Sequence, residues 1–126
     1  MNDLQLVKTG DGSYTLYVPS LAEHFHSTFG AMQESNHVFI KSGFQYIADK
    51  LDTVNILEVG MGTGLNVFLT YIENCKINKK VNYYAIEPYA LSEQILRSLN
   101  YAEKYGSHYD VFQNIHSAEW EKIINF

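Results

Sequence analysis

The stretch ILEVGMGTGLN, residues 56–66, limits the folds open to this chain more than any other stretch. Its apolar first half is typical of a strand that a parallel sheet buries on both faces. Gly60, Gly62 and Gly64 follow at alternate positions, and glycine lets a backbone turn sharply and approach a ligand because it has no Cβ. Apolar residues with helical character resume after Asn66. The stretch therefore predicts a strand, a ligand-binding turn and a helix in direct succession.

Strands and helices alternate on either side of this turn. Ile40, Phe44, Ile47 and Leu51 recur at spacings of four, three and four, which predicts a helix that buries them on one face. The predicted elements are a hairpin over residues 4–18, a loop to residue 33, that helix from residue 34 or 35 to about 51, a strand at 54–60, a helix from 66 to about 72, a strand at 81–88, a helix at 91–106, a short helix within 108–120 and the start of a strand at 122–126. This alternation predicts an α/β fold with a parallel, Rossmann-like sheet.

The domain organisation follows from that order. Residues 1–30 form the predicted hairpin and loop extension, and residues 31–126 form a Rossmann-like unit. Because the third strand begins only at the last residues, we expect an incomplete sheet of three strands with an open apolar edge. Such a sheet exposes apolar area that a partner would cover. We therefore expect self-association, or pairing with a missing C-terminal half.

Composition excludes several classes of protein. A chain of 126 residues with 46% apolar and 18% charged residues is typical of one globular domain. No apolar run is long enough to span a bilayer, and a single cysteine allows no internal disulfide, so we expect a cytoplasmic protein without a membrane partner. The net charge of −5 argues, by itself, against a nucleic-acid binder, and the short run CKINKK is the only basic cluster.

The spacing of the glycines narrows the choice of cofactor. The dinucleotide fingerprint needs a glycine at position 65, where Leu65 stands, and the phosphate-binding P-loop needs a lysine that does not follow these glycines. The pattern that is present, an acid at Glu58 followed by glycines at 60, 62 and 64, resembles the turn of S-adenosylmethionine-dependent methyltransferases. S-adenosylmethionine carries no phosphate, so this turn needs no basic side chain.

Glu87 supplies the second half of this hypothesis. It closes the second predicted strand 23 residues after Gly64, and an ionised carboxylate can accept hydrogen bonds from both hydroxyls of an adenosine ribose. Plainer interpretations stay open, since a glycine-rich turn is often only a tight turn and a glutamate at a strand end is usually solvated surface. The two features together favour a methyl donor over a nicotinamide cofactor.

Three blocks of sequence, one of which contains the glycine turn, resemble a narrower family. GAMQESNHVFIKSG, EVGMGTGLNVFL and IEPYALSEQIL are similar to the methyltransferase domain of the bifunctional, oxidoreductase-fused tRNA 5-methylaminomethyl-2-thiouridine biosynthesis proteins and their stand-alone homologues (MnmC/MnmD type). Ala90 departs from the pattern, where a proline is expected. The resemblance implies a class I methyltransferase that transfers a methyl group from S-adenosylmethionine to the aminomethyl nitrogen of a wobble uridine in tRNA.

The resemblance also implies the site. In this interpretation the glycine turn cradles the cofactor above Glu58, and Glu87 holds the ribose. The residues expected to bind the cofactor are Glu34, Ser35, Glu58, Gly60, Met61, Gly62, Thr63, Gly64, Asn66, Glu87, Pro88 and Tyr89. No metal site is expected. The family's catalytic-site acid would lie in a later half that this sequence does not contain, so we assign no catalytic residue and expect the chain alone to be inactive and to bind cofactor weakly or not at all.

Two other functions fit the same residues. The chain could be a methyltransferase that acts on a small molecule or a protein and shares only the cofactor turn. It could instead be a non-catalytic half-domain that serves as an interaction module.

Overall fold

The structure is a computed structural model that describes residues 3–126. Its elements, in chain order, are β1 (Gln5–Lys8), β2 (Tyr14–Val18), β3 (Glu23–His24), α1 (Ala31–Ser35), a π-helical segment (Asn36–Gln45), α2 (Tyr46–Ala48), β4 (Thr53–Val59), α3 (Leu65–Ile77), β5 (Lys80–Ile86), α4 (Glu93–Ser98), a 3₁₀ segment (Tyr101–His108) and α5 (Tyr109–Ser117). The strands form two separate sheets, β1-β2-β3 and β4-β5.

The N-terminal sheet contains the predicted hairpin. β1 and β2 pair antiparallel from Gln5↔Tyr17 to Lys8↔Tyr14, which confirms that part of the prediction. The segment after β2 was expected to be a loop throughout. Instead, β3 adds a short third strand through Tyr17↔His24, and this strand carries the chain back toward the start of α1.

The tip of the hairpin caps helix α1. The first N–H groups of a helix have no partner inside the helix, and here three of them donate to side chains of the hairpin turn. Ala31 N donates to Thr9 Oγ1 at 3.2 Å, Met32 N to Ser13 Oγ at 3.1 Å and Gln33 N to Asp11 Oδ2 at 2.8 Å. The helix therefore begins at Ala31, before the predicted start at residue 34 or 35, and the groups that cap it come from a turn about twenty residues earlier in the chain.

The helix that begins at Ala31 continues without a break to Ala48, and its middle is a π-helix. A π-helix has i→i+5 hydrogen bonds and more residues per turn than an α-helix. Its buried face therefore follows Ile40, Phe44 and Ala48 at spacings of four. Ile47 and Leu51, which α-helical spacing placed on that face, are 37% and 49% exposed, so this detail of the prediction was wrong.

β4 and β5 form the parallel sheet, with Ile56↔Tyr83 and Glu58↔Ala85 in register. One face packs on the helices: Val54 is buried in a cluster with Phe44 and Ala48. The other face is open, and it carries the exposed apolar side chains Leu57, Val59, Tyr84 and Ile86. The larger core lies between α3, α5 and the continuous helix 31–48, around Phe68 and Phe112.

The C-terminal third differs most from the sequence prediction. Ser92 caps α4, but this helix ends at Ser98, short of the predicted end at residue 106, and a 3₁₀ segment leads into α5. Within the described residues, the stretch 122–126 forms no strand, so the predicted third strand is wrong and the parallel sheet has two strands. No helix of residues 3–126 combines the length and apolar character needed to cross a bilayer.

Candidate cofactor-binding site

The glycine turn, Gly60–Gly64, joins β4 to α3. Its three glycines have φ of +84°, +53° and +70°. Residues with a side chain rarely adopt this backbone conformation. The end of β5 holds the start of the turn, since Gly60 N donates to Ile86 O at 2.8 Å. Gly64 N closes it by donating to Met61 O at 2.9 Å. The turn is thus a fixed structure and lies next to the carboxyl end of β5.

Glu87 contacts this turn directly. Its Oε2 accepts from Gly62 N at 2.8 Å, and its Oε1 accepts from Tyr89 N at 2.9 Å. Each carboxylate oxygen has two lone pairs, so both can accept a further hydrogen bond. The carboxylate expected from the sequence to lie beside the bend therefore does lie there, and it has acceptor capacity left for a ligand.

Glu58 is held beneath the turn by two donors. Asn66 Nδ2 donates to Oε1 at 2.8 Å, and the Tyr83 hydroxyl donates to Oε2 at 2.9 Å. Burial raises the pKa of Glu58, the hydrogen bonds from Asn66 and Tyr83 oppose that shift, and the nearby charge of Glu87 raises the pKa further. Burial and the charge of Glu58 also raise the pKa of Tyr83. The site thus keeps an acid in a setting that penalises its charge.

A cavity of about 410 Å³ opens beside the turn and Glu58. That size lies in the range of pockets that bind small molecules and cofactors. The cavity is lined by Phe25, His26, Glu34, Phe39, Ile56, Leu57, Glu58, Val59, Gly60, Met61, Gly62, Thr63, Asn66 and Tyr83. Across residues 3–126, neither lysine nor arginine contributes to this lining, whereas two carboxylates do.

The structure brings most of the residues predicted from the sequence into this cavity. The lining includes the predicted residues Glu34, Glu58, Gly60, Met61, Gly62, Thr63 and Asn66. Five others lie outside it. Gly64 packs against α5, Ser35 is fully buried, Glu87 reaches the turn from β5, and Pro88 and Tyr89 follow it with exposed side chains.

Seven lining residues were not predicted from the sequence: four belong to β4 and β5, and three come from more distant segments. Phe25 and His26 follow β3, and Phe39 lies in the π-helical segment. The Phe25 ring lies against the turn so closely that a Cβ on Gly62 would come within 2.9 Å of it. Burial lowers the pKa of His26, while the charge of Glu34 opposes that shift. The run EHFH, residues 23–26, is the sequence feature that contains Phe25 and His26. It lies too far from the glycines in sequence to be connected with the cavity.

Three buried polar atoms of predicted site residues have no hydrogen-bond partner within the described part of the chain. They are the hydroxyl oxygens of Ser35 and Thr63 and Asn66 Oδ1. Buried polar atoms are nearly always paired in folded proteins, and an unpaired one commonly marks a place where a ligand or water binds. Thr63 and Asn66 also line the cavity.

Comparisons with known proteins agree with this geometry. No family model matches the chain. The tRNA 5-methylaminomethyl-2-thiouridine biosynthesis bifunctional protein MnmC of Burkholderia multivorans is 29% identical over 87 residues, which are 66% of this chain and 13% of that protein. The crystal structure of MnmC2 from Aquifex aeolicus superposes with a TM-score of 0.67 and 25% identity, over 86% of this chain and 38% of that one.

These similarities confirm two predictions from the sequence. The chain resembles an MnmC-type methyltransferase domain, and its α/β architecture is that of a Rossmann-like methyltransferase with a short antiparallel N-terminal sheet. The chain spans 13% of the bifunctional relative and 38% of the solved one.

Proposed function

We propose that this chain forms the cofactor-binding part of an S-adenosylmethionine-dependent tRNA methyltransferase that works in the cytoplasm. The observation that carries the proposal is the contact between the glycine turn and Glu87, at 2.8 Å from Gly62 N, beside a cavity that the turn itself lines. A turn with three positive-φ glycines and an acid at the end of the next strand is the arrangement expected for an adenosine ribose.

The charge of the cavity supports a cationic ligand rather than a phosphorylated one. Glu34 and Glu58 line the cavity and Glu87 borders the turn, while no basic side chain of the described residues lines it. Phosphate sites rely on Lys, Arg or unobstructed amides at a helix N-terminus. Here a carboxylate already accepts from the Gly62 amide. S-adenosylmethionine carries a sulfonium and an ammonium, so its charge complements these acids.

Each residue of the site then has a definite task. The Glu87 carboxylate is placed to accept ribose hydroxyls, and Glu58, held by Asn66 and Tyr83, is placed to meet the ammonium. Ser35 lies next to Glu34 but is fully buried outside the cavity, so we assign it no contact with the cofactor. When bound, the cofactor supplies an electrophilic methyl group, and catalysis then depends mainly on alignment of donor and acceptor. We assign no proton acceptor among these residues.

We further propose that the acceptor is the aminomethyl nitrogen of 5-aminomethyl-2-thiouridine at the tRNA wobble position. Support comes from the sequence blocks that resemble the MnmC/MnmD type and from the name of the Burkholderia relative. Since the chain spans a minor part of both similar proteins, the surface that would contact tRNA is not expected to lie wholly within it.

Cofactor binding is tested by titrating S-adenosylhomocysteine into the ¹⁵N-labelled chain, because chemical shifts detect weak binding. We expect the amide signals of Gly60 and Gly62 to shift. Glu87→Ala should weaken binding about tenfold or more, since it removes hydrogen bonds to a charged acceptor. Glu103→Ala, at an exposed glutamate of the 3₁₀ segment, is the matched control and should change nothing. Shifts confined to residues away from the turn would contradict the assignment.

The substrate is tested with labelled donor. The chain, alone and with the remaining part of an MnmC-type relative supplied as a second polypeptide, is incubated with tRNA that lacks the modification, with total protein or with total metabolites. Label in the tRNA at the wobble uridine supports the proposal. Label only in protein or in a metabolite contradicts the tRNA assignment while leaving the cofactor assignment intact.

A second candidate substrate class is a small molecule or a protein. The net charge of −5 and the isoelectric point near 5.4 favour it, because proteins that bind a phosphate backbone usually carry a basic surface. The same labelled-donor experiment separates the two candidates.

A further inference from the structure

Helix α5 reaches the glycine turn through one side chain. His116, in the last turn of α5, places Nε2 at 3.0 Å from the backbone oxygen of Thr63. A carbonyl oxygen only accepts hydrogen bonds, so Nε2 must carry a proton and donate it. His116 and Thr63 are 53 residues apart in sequence, and Thr63 is fully buried.

The approach of this imidazole explains why residue 64 has no side chain. A Cβ on Gly64 would come within 2.8 Å of His116 Nε2, and the φ of +70° already disfavours other residues. The ring is also fixed from behind, since it meets the Phe112 ring edge-on with centroids 5.0 Å apart. Phe112 belongs to the main core, so the position of His116 is set by packing as well as by the hydrogen bond.

We infer that His116 is a positioning residue for the glycine turn. The term applies because His116 acts on the peptide between Thr63 and Gly64 and lies outside the cavity lining. The end of β5 binds the start of the turn, and Glu87 binds its middle. His116 binds the end of the turn through the backbone oxygen of Thr63. The role of this turn in binding a cofactor rests on the proposed function, but the hydrogen bond from His116 to Thr63 is independent of it.

The position of this peptide sets the position of a cavity residue. Helix α3 begins immediately after Gly64, and its second residue, Asn66, donates to the Glu58 carboxylate at 2.8 Å. A shift of the Thr63–Gly64 peptide would therefore move both the turn amides and the donor that holds Glu58. Through this chain of contacts a side chain of α5 controls the geometry of the cavity.

The alternative is that His116 contributes only to packing of α5. Three variants separate these roles. His116→Leu keeps apolar bulk and removes the donor, and His116→Gln keeps an N–H donor at a similar reach. His108→Leu is the matched control, because His108 lies at the opposite end of α5 from His116 and packs on the Tyr71 ring.

The primary measurement is amide hydrogen exchange, which needs no cofactor. In His116→Leu, exchange at Gly62 and Gly64 should accelerate about tenfold relative to the β1–β2 hairpin amides, because a buried acceptor loses its donor. His116→Gln should restore most of the protection, and His108→Leu should leave the turn unchanged. Unchanged exchange in His116→Leu, equal acceleration of turn and hairpin, or no rescue by Gln would each overturn the inference.

The second measurement is the affinity for S-adenosylhomocysteine. His116→Leu should weaken it about five- to tenfold, with little change in His116→Gln and His108→Leu. Equal affinities for wild type and His116→Leu would overturn the inference even where exchange changes. A wild-type chain that binds no S-adenosylhomocysteine would contradict the proposed function, and the exchange result alone would then decide whether His116 positions the turn.

Discussion

The cap that the hairpin turn places on helix α1 predicts a measurable acid sensitivity. Asp11 accepts hydrogen bonds from Ser13 and Thr9 within the turn and from Gln33 N at the helix start. Partial burial raises its pKa, but these hydrogen bonds outweigh that effect and lower the pKa from 3.8 to about 2. The folded state therefore favours the charged carboxylate more strongly than the unfolded chain does.

The magnitude follows from linkage. A difference of about 2 pKa units corresponds to at most about 2.5 kcal/mol, and partial exposure of Asp11 reduces this to about 1–2 kcal/mol. Because the folded pKa is the lower one, this stabilisation is present above about pH 4 and is lost as the pH falls toward 2. Asp11→Asn should thus lower the free energy of unfolding by about 1–2 kcal/mol at pH 7 and by much less near pH 2.5.

Urea unfolding followed by circular dichroism at several pH values is the assay. Asp110→Asn is the control, since Asp110 is an exposed acid in the first turn of α5 and its removal should cost at most about 0.5 kcal/mol. If the free energies of unfolding of wild type and Asp11→Asn differed by the same amount at pH 7 and at pH 2.5, the charge of Asp11 would not stabilise the helix start.

Three other substitutions follow from the same structure. Glu58→Gln should raise the thermal midpoint at pH 7 and weaken S-adenosylhomocysteine binding, because it removes a buried charge while the amide oxygen can accept from Asn66 and the amide nitrogen can donate to the Tyr83 hydroxyl. Gly62→Ala should lower the free energy of unfolding by about 1–2 kcal/mol through its positive φ and the nearby Phe25 ring, whereas Gly106→Ala, with open space around it, should have little effect. Light scattering after size exclusion should show self-association of the wild type through the open sheet face, reduced in Leu57→Lys; a monomeric wild type would contradict this.

The strand–turn–helix unit could be predicted from sequence because its determinants are local. Alternating glycines fix the turn, and the apolar run before them fixes the strand, so β4, the turn and the start of α3 lie where the pattern indicated, while α3 continues to Ile77, beyond the predicted end near residue 72. Glu87 could be placed beside the turn for a similar reason: parallel neighbouring strands end at the same edge of a sheet. These features need no knowledge of the rest of the fold.

The features that were missed depend on contacts between distant segments. Nothing near Ala31 in sequence indicates that Asp11 caps that helix, and the apolar spacing does not indicate the π-helical segment that turns Ala48 inward in place of Ile47. Phe25 and His26 reach the cavity only because β3 returns the chain toward α1. Periodicity reports which face of an element is apolar, and it carries no information on which distant segment meets that face.

The energetics of Glu58 connect stability with the proposed function. Desolvating a carboxylate is costly unless a cation pairs with it, yet Glu58 is largely buried near a second acid, and no lysine or arginine of residues 3–126 forms an ion pair with it. Hydrogen bonds from Asn66 and Tyr83 hold it in place but leave its charge uncompensated. A chain selected for stability alone would carry a neutral side chain here. The retained charge supports the proposal of a cationic ligand, such as S-adenosylmethionine, in the adjoining cavity.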